Sequence, residues 1–441
     1  MDSDQLAALR TPAGVTALEA AGKVAGGDPL VAAAALRSAG IPAGLAAAAL
    51  TQAELRRRAT AKFGPDAAGM FFTRAGLEQA TRSVVADRRA ARLRAAGART
   101  LADLGCGLGA DAIAAARAGI RVYGVEADPV TAAMAAANAG ATGLADRFTV
   151  SLGDATRFDV TDSDGGPVDA VFCDPARRRA GTGRRVFDPA AYSPPWNFLL
   201  GLADRIPRTV FKVAPGIDHA LLPPGAEGEW VSVGGDLVEA TVWCGPLAAA
   251  PRRATLLTGS AAHELTGTGT VRAPVGPLRR YLYDPDGAVV RSHLVAEFAA
   301  TVDGTLADPD IAYVYADSAR PTPFARCLEI VDSLPFSLKR LRTLLRGLGI
   351  GRVEILKRGS ALEPERLRRD LRLTGTEPIS LVLTRIADAP VVLLCRPVPA
   401  PGPGTPDTGP AGAPPGVGTA GAPPDAGTAG APPGAGSAER R

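Results

Sequence analysis

The sequence has little lysine, histidine and cysteine, and it has no long hydrophobic run. Only five of its 49 basic residues are lysine, and only three residues are histidine. The five cysteines are scattered, with no Cys-x-x-Cys pair, which argues against a zinc site and a disulfide scaffold. No stretch approaches the roughly 20 apolar residues of a membrane span, and residues 1–10 do not resemble a signal peptide. We therefore expect a cytoplasmic protein with no membrane contact and no bound metal.

The chain is long enough to form two or three domains. The sequence has 441 residues and a formal net charge of +4, so its overall charge says little about partners. Composition and periodicity divide it into four parts. These are a helical domain (1–98), an alternating strand–helix domain (99–247), a strand-rich α+β domain (248–397) and a Pro/Gly/Ala-rich tail (398–441). The tail lacks the bulky apolar residues that would offset the entropy of ordering, so we expect disorder there.

The helical domain shows apolar residues at helical spacing in four segments. These segments are 4–22, 28–39, 43–62 and 75–95. In the second domain, strands expected at 100–104, 121–126, 147–151, 168–174 and 208–213 alternate with helices, as in a parallel sheet covered on both faces. A hairpin formed by 229–233 and 237–244 is expected to end this domain.

Glycines recur at alternate positions directly after the first expected strand. Gly105, Gly107 and Gly109 separate residues 100–104 from a helix that starts near residue 110, and Asp103 lies two residues before the first glycine. Such a turn brings backbone N–H groups to a ligand without obstruction by Cβ atoms. The spacing differs from the G-x-G-x-x-G of dinucleotide sites.

Acidic residues follow the next three expected strands. Glu126 ends the second strand, where a carboxylate can accept both ribose hydroxyls of a nucleoside. Asp154, followed by Ala155, comes after the third strand, and Asp174-Pro175 comes after the fourth. Each acid alone could be a helix or turn cap, but the series at successive strand ends indicates a nucleoside-type ligand at one edge of the sheet.

The last domain carries a local excess of positive charge. Residues 320–372 contain 13 Lys and Arg against 6 Asp and Glu, and a basic amphipathic helix is expected at 337–348. Such a face suits a polyanion, most simply RNA. The alternative is a solvated helix face in an arginine-rich chain.

These motifs resemble bacterial class I S-adenosylmethionine-dependent methyltransferases that carry a C-terminal THUMP-like domain. The resemblance covers residues 60–397. Its motifs are Lys62-Phe63 and the segments 76–81, 102–107, 173–177, 283–286, 288–291, 334–339 and 351–359. It implies a Rossmann-like sheet of seven strands, S-adenosylmethionine as cofactor and an RNA substrate, such as tRNA or rRNA. The chain departs from related sequences at Asp286-Gly287, where they tend to have Asp-Pro.

The resemblance also implies roles for the residues above. Asp103 would lie near the ammonium group of the cofactor and Gly105, Gly107 and Gly109 near its methionine moiety, with Glu126 at the ribose and Asp154-Ala155 at the adenine. In amino-methylating enzymes, Asp-Pro-Pro-aromatic holds an exocyclic amine; Asp174-Pro175 matches its first half, whereas Ala176-Arg177 replaces the second. The expected substrate-binding residues are Arg177, Arg178, Lys339, Arg340 and Lys357.

The expected reaction is therefore N-methylation of a base in RNA, with Asp174 and Pro175 as the catalytic pair. Methylation of cytosine carbon-5 would need a thiolate nucleophile, but Cys173 and Cys106 are better explained as small buried side chains. A small-molecule methyltransferase and a non-catalytic RNA-binding protein that keeps the cofactor fold are the alternatives. The sequence does not indicate the target base or the oligomeric state.

Overall fold

Helices separated by short turns form the N-terminal region of this computed structural model, which describes residues 1–161, 166–175 and 192–398. These helices are α1 (Ser3–Leu9), α2 (Pro12–Val24), α3 (Pro29–Ser38), α4 (Ala43–Phe63), α5 (Arg74–Gln79) and α6 (Ser83–Ala95). The helix expected over 4–22 is divided because Thr11 caps α2 and Pro12 occupies its first position. The helix expected over 75–95 likewise divides into α5 and α6.

A large sheet follows the helices. Its strands are β1 (Thr100–Leu104), β2 (Arg121–Glu126), β3 (Phe148–Leu152), β4 (Ala170–Cys173), β5 (Thr209–Val213), β6 (Glu227–Val233), β7 (Asp236–Trp243), β8 (Arg252–Thr258) and β9 (Ala261–Gly267). Helices α7 (Ala110–Arg117), α8 (Pro129–Ala141) and α9 (Trp196–Arg205) lie between its strands in the chain. The strand order is β3-β2-β1-β4-β5-β7-β6-β8-β9.

The first seven strands in this order form the Rossmann-like sheet that the sequence predicts. The strands from β3 through β5 are parallel, and β7 runs antiparallel to β5. Strands β8 and β9 extend the sheet to nine strands, because β8 pairs in parallel with β6. The sheet therefore continues to residue 267, beyond the boundary at residue 247 expected from the sequence.

A second sheet contains the remaining strands of the described chain. They are β10 (Tyr281–Pro285), β11 (Thr305–Leu306), β12 (Val314–Ala316), β13 (Ala325–Pro335), β14 (Ile350–Lys357), β15 (Glu377–Ile386) and β16 (Ala389–Pro397). Their order is β11-β12-β10-β13-β16-β15-β14. The helices of this part are α10 (Gly287–Arg291), α11 (Val295–Thr301), α12 (Leu338–Gly347) and α13 (Pro364–Leu371). The predicted α+β character is confirmed.

Apolar stripes hold α12 and α13 against this second sheet. Leu341 and Leu345 of α12 and Leu367 and Leu371 of α13 are buried in one cluster with residues of β15 and β16. The i, i+4 spacing of each leucine pair places it on one face of its helix. Lys339, Arg340 and Arg346 of α12 are exposed, whereas Arg342 is half-buried and donates to the carbonyl of Asp370 on α13.

Arginines anchor α6 to the first sheet. Arg92 contacts both carboxylate oxygens of Glu227 on β6, at 2.8 and 2.7 Å, and Arg253 on β8 donates to the same carboxylate. Burial alone would raise the pKa of Glu227, but these hydrogen bonds lower it to about 2. Helix α6 also carries Arg89, which is buried, so these ion pairs fix the position of that arginine as well.

Candidate active site

The glycine loop joins β1 to α7 where the strand order reverses, which is the place where open α/β sheets bind ligands. Gly105, Gly107 and Gly109 have φ angles of 88°, 55° and 86°. The N–H groups of Gly105 and Cys106 both donate to the carbonyl of Val125, at 2.9 and 3.0 Å. A Cβ at Gly107 would meet no atom of the described residues within 4 Å, so a ligand can approach the backbone there.

Glu126 links the end of β2 to this loop. One carboxylate oxygen, Oε2, accepts from the N–H of Gly107 at 3.0 Å, and the other accepts from the N–H of Asp128 at 3.0 Å. The side chain is half-buried. Two backbone donors therefore fix a carboxylate whose remaining lone pairs can accept from a ligand's hydroxyl groups. Asp128 caps α8 through the N–H of Thr131, which is the structural role its position predicts.

Asp103 is a buried carboxyl group beneath the glycine loop. It is 1% exposed, and neither of its carboxylate oxygens has a hydrogen-bond partner among the described residues. Burial, and next the nearby carboxylates of Asp111 and Asp174, raise its pKa well above the usual value. An unpaired buried carboxyl group is costly, and its position suits a ligand that brings a positive charge.

Asp154 follows β3 and is exposed. Its Oδ1 accepts from the backbone N–H and the hydroxyl of Thr156, at 2.9 and 2.8 Å, and these bonds lower its pKa. Ala155 is buried directly after it. The N–H of Gly153 donates to the carbonyl of Glu126 at 3.0 Å. The ends of β2 and β3 are thereby tied together, with Asp154 at the same edge as Glu126.

Asp174 and Pro175 follow β4 at that edge. The Asp174 side chain is 26% exposed, and Pro175 is buried. The Asp174 carbonyl lies 3.5 Å from the position that a Cβ would take on Gly105, so it is next to the glycine loop. The Oδ2 atom of Asp174 forms an ion pair with Lys212 of β5. The structure thus brings Asp103, Asp174 and the glycine loop together.

A buried ionic network lies beneath the loop, and the sequence motifs described above do not include its residues Arg89, Asp111, Lys212 and Glu239. Arg89 of α6 forms ion pairs with Asp111 of α7 and Glu239 of β7, and its guanidinium lies 4.5 Å from the ring centroid of Phe172. Burial alone would lower the pKa of Arg89, but Asp111 and Glu239 raise it. One feature of the sequence could have indicated this network. Lys212 is a charged residue inside the otherwise uncharged, mainly apolar strand β5.

The charges of this site fit a cationic ligand. Among the described residues, its carboxyl groups are Asp103, Asp111, Asp174 and Glu239, and its cations are Arg89, Lys212 and Lys62. Within that part of the chain, neither carboxylate oxygen of Asp103 has a hydrogen-bond partner. A ligand with an ammonium group near Asp103 would compensate that carboxylate. The residues present therefore fit S-adenosylmethionine.

The segment around α5 packs on the glycine loop. A Cβ on Gly76 would lie 2.8 Å from Leu108 Cδ1, so only glycine permits this approach. The side-chain amide of Asn138 donates to the carbonyls of Phe71 and Leu108, at 3.1 and 3.0 Å, and accepts from the Phe71 N–H at 2.7 Å. The N-terminal helices therefore contribute one wall of the site.

The expected substrate-binding residues lie elsewhere. Arg177 and Arg178 are outside the described residues. Lys339 and Arg340 are exposed in the first turn of α12, and Lys357 ends β14. Lys357 donates to Glu363 at 3.2 Å and to the Leu362 carbonyl at 3.1 Å, so its ammonium is partly committed within the domain.

Over residues 1–161, 166–175 and 192–398, no group of three or more His, Cys, Asp and Glu residues has the arrangement to hold a metal ion. Within these same ranges, no helix has the length and apolarity needed to cross a membrane.

The strand order, the glycine loop and the acidic groups at the strand ends define a class I S-adenosylmethionine-dependent methyltransferase. The family described as "Methyltransferase domain" matches residues 101–179 and the one described as "THUMP domain-like" matches residues 325–397. A domain of unknown function matches residues 2–59. The expected THUMP-like domain and the cofactor S-adenosylmethionine are confirmed.

The chain belongs to the S-adenosylmethionine-dependent methyltransferases. It is 37% identical over 365 residues to an uncharacterized member from Mycobacterium tuberculosis. The matched region covers 78% of this chain and 95% of that relative. A solved Porphyromonas gingivalis structure, assigned as a methyltransferase, shares the fold with a TM-score of 0.67 and 22% identity, over 90% of this chain and 100% of that one. A 23S rRNA uracil C5-methyltransferase of Acidithiobacillus ferrooxidans is 36% identical over 105 residues, or 24% of each chain.

Proposed function

We propose that this chain transfers a methyl group to a nitrogen of a base in RNA. The observation that carries the proposal is the position of Asp174, a partly exposed carboxylate beside the glycine loop and followed by a buried proline. A carboxylate there can accept an N–H of an exocyclic amine and so direct the nitrogen lone pair toward the methyl donor. Pro175 restricts the backbone that follows Asp174.

When bound, S-adenosylmethionine supplies an electrophilic methyl carbon on a sulfonium. The chain's task is to hold the acceptor nitrogen in line with that carbon and to exclude water. As the N–C bond forms, the S–C bond breaks to give S-adenosylhomocysteine, and the amine loses one proton. Asp174 accepts the hydrogen bond of that proton throughout, and the proton passes to solvent through its exposed edge.

The chain's acidic residues would hold the cofactor. Asp103 would pair with its ammonium group, Glu126 would accept from its ribose hydroxyls, and Asp154-Ala155 would contact its adenine. The glycine loop would let the methionine moiety approach the backbone. This assignment rests on the unpaired oxygens of Asp103 and on the fixed carboxylate of Glu126.

Methylation at a base carbon is disfavoured by the cysteines. Addition of a thiolate to the pyrimidine ring needs an accessible, ionised sulfur. Cys173 is fully buried, and burial followed by the charge of Asp174 raises the pKa of its thiol well above the usual value. Cys106 is also buried, and its pKa is likewise raised by burial. The partial match to a uracil C5-methyltransferase therefore supports RNA as the substrate class rather than C5 as the acceptor.

The C-terminal domain supports an RNA substrate through its charge. Lys339, Arg340 and Arg346 are exposed on α12, whose leucines face the sheet. On α13, Arg366 and Arg369 are also exposed. A surface of this kind contacts phosphates without reading sequence. On the sequence alone, Arg177 and Arg178 would add phosphate contacts beside Asp174, and an RNA substrate would place the reaction in the cytoplasm.

The test is methyl transfer from radiolabelled S-adenosylmethionine into fractionated cell extract. Extract is prepared from cells that lack the protein and separated into RNA, protein and small molecules. We expect label in the RNA fraction with the natural chain and at least a hundredfold less with Asp174→Asn, although both bind S-adenosylhomocysteine equally. Label confined to small molecules would instead favour a small-molecule methyltransferase. Binding without transfer to any fraction would favour a non-catalytic protein.

A further inference from the structure

Ionisable side chains from neighbouring strands share one face of the first sheet. The pairing of β1 with β4, β4 with β5 and β5 with β7 places Asp103, Lys212 and Glu239 on the same side. Helices α6 and α7 cover this side with Arg89 and Asp111. Charged side chains therefore lie along this face from β1 to β7, and Lys212 lies on a strand between those of Asp103 and Glu239.

Lys212 is a buried cation between Asp174 and Thr81. Its side chain is 5% exposed, and its ammonium forms an ion pair with Oδ2 of Asp174 and donates to the hydroxyl of Thr81 at 3.1 Å. Burial alone would lower its pKa, but the carboxylates of Asp174, Glu239 and Asp111 outweigh burial and raise it. Because the contact to Asp174 uses Oδ2, Oδ1 is the oxygen that can turn to a substrate.

Thr81 belongs to the segment that packs on the glycine loop. Lys62 binds this segment through three backbone carbonyls, those of Leu77, Glu78 and Ala80, at 2.7, 2.9 and 2.8 Å. Burial, followed by the charge of Lys212, lowers the pKa of Lys62 to about 8. The hydroxyl of Thr81 is thus held in place by a rigid segment and in turn fixes the ammonium of Lys212.

We infer that Lys212 is a positioning residue for methyl transfer: its ammonium holds Oδ2 of Asp174 and so orients the carboxylate with Oδ1 toward the acceptor, while Thr81 fixes the lysine. This inference rests on the proposed role of Asp174. Without the ammonium, Oδ2 loses this ion pair, and the carboxylate can rotate away from the N–H of the acceptor.

The test compares Lys212→Met with Lys212→Arg and with Lys23→Met, a matched control at an exposed lysine of α2. For Lys212→Met we expect kcat to fall at least tenfold, with the Kd for S-adenosylhomocysteine within threefold of the natural chain. Lys212→Arg should restore most of the kcat, because its guanidinium can still hold Oδ2 of Asp174, and Lys23→Met should behave like the natural chain.

The ionisable side chains around the Asp174–Lys212 pair are not substituted in any of the three variants. They are Asp103 of β1, Cys173 of β4, Glu239 of β7, Asp111 of α7, Arg89 of α6 and Lys62 of α4. A smaller fall in kcat for Lys212→Met, or a failure of Lys212→Arg to restore kcat, overturns the inference. If Lys212→Met fails to fold, the test compares Thr81→Val with Thr81→Ser. The valine variant should lower kcat at least threefold, and the serine variant should not. Equal kcat values for the two variants overturn the inference.

A readout without turnover separates this inference from the proposed function. Thermal unfolding of Lys212→Met, Asp174→Asn and the double variant gives the coupling of the two side chains. We expect the double variant to lose clearly less stability than the sum of the single losses. Additive losses overturn the inference even if RNA is methylated. A second outcome is that the two side chains are coupled but the natural chain methylates no RNA. This outcome overturns the proposed function and, with it, the role assigned to Lys212 in methyl transfer. The ion pair between Lys212 and Asp174 then remains as a structural contact only.

Discussion

The backbone N–H of Gly107 donates to the Oε2 atom of Glu126 at 3.0 Å, which joins the glycine loop to the carboxyl end of β2. The two elements that would hold the methionine moiety and the ribose of the cofactor are therefore fixed to each other before a ligand binds. Such preorganisation lowers the ordering cost of binding. It also makes the conformation of the loop a direct determinant of affinity for the cofactor.

Alanine substitutions in the glycine loop should separate strain from steric overlap. Both Gly107 and Gly109 have positive φ, but a Cβ at Gly107 meets no atom of the described part of the chain within 4 Å, whereas one at Gly109 lies 2.7 Å from the Phe148 ring. Gly107→Ala should lower the free energy of unfolding by about 1 kcal/mol, and Gly109→Ala by about 2 kcal/mol more. Urea unfolding of the two variants measures the difference, and equal losses would show that Phe148 moves away freely.

Asp103→Asn should stabilise the unliganded chain while weakening cofactor binding. The buried carboxyl group has no hydrogen-bond partner among the residues that the structure describes, and its raised pKa means that its ionisation costs stability as the pH rises above about 4, the usual value for aspartate. The advantage of the asparagine variant in unfolding free energy should therefore grow between pH 4 and pH 8. Calorimetry should show at least tenfold weaker binding of S-adenosylhomocysteine. A variant that binds as tightly as the natural chain would remove Asp103 from the cofactor site.

The stack formed by His219, His293 and Trp230 should make the chain sensitive to mild acid. The two imidazoles lie 3.7 Å apart, and Arg252 donates to Nδ1 of His219 at 3.1 Å. Burial, then the neighbouring His293, lowers the pKa of His219 to about 4. Because the unfolded chain binds this proton more readily, stability should fall as the pH drops from 6.5 to 4. We expect a loss of about 1–2 kcal/mol, which allows for solvent screening of a half-buried ring.

Chemical denaturation at pH 7 and pH 5 measures this loss. Relative to the natural chain, His219→Gln should gain stability on going from pH 7 to pH 5, because it removes the loss due to this imidazole, whereas His263→Gln, on β9, should follow the natural chain. If His219→Gln keeps the full dependence, the acid sensitivity originates at another group.

The sequence predicts the parts of the site that are local in the chain. Gly105, Gly107 and Gly109 follow a strand directly, and Glu126, Asp154 and Asp174 each end or follow one, so topology alone gathers them at one edge. The network beneath them depends on contacts between distant residues: Arg89 reaches Glu239 across 150 positions, and Lys212 reaches Thr81 across 131. No periodicity encodes such pairs. The pairing of β8 with β6 also joins distant residues, so the sequence did not predict it. This pairing adds β8 and β9 to the predicted sheet.

Charge reversal on α12 should weaken RNA binding and reduce its dependence on salt. Lys339→Glu with Arg340→Glu removes two exposed cations from the first turn of α12. We expect RNA affinity to fall at least tenfold and the slope of log K against log salt to decrease by about 1–2. The matched control reverses Lys23 and Arg37, which are exposed on α2 and α3 and should have little effect. Equal losses in both double variants would mean that binding follows net charge alone.

The acceptor atom tests the account most directly. RNA from cells that lack the protein is incubated with the chain and S-adenosylmethionine bearing a trideuterated methyl group, then digested to nucleosides and analysed by mass spectrometry with fragmentation. We predict the label on a base nitrogen, lost at least a hundredfold with Asp174→Asn. Label on a base carbon or a ribose oxygen, or equal labelling by the Asp174→Asn variant, would contradict the role assigned to Asp174.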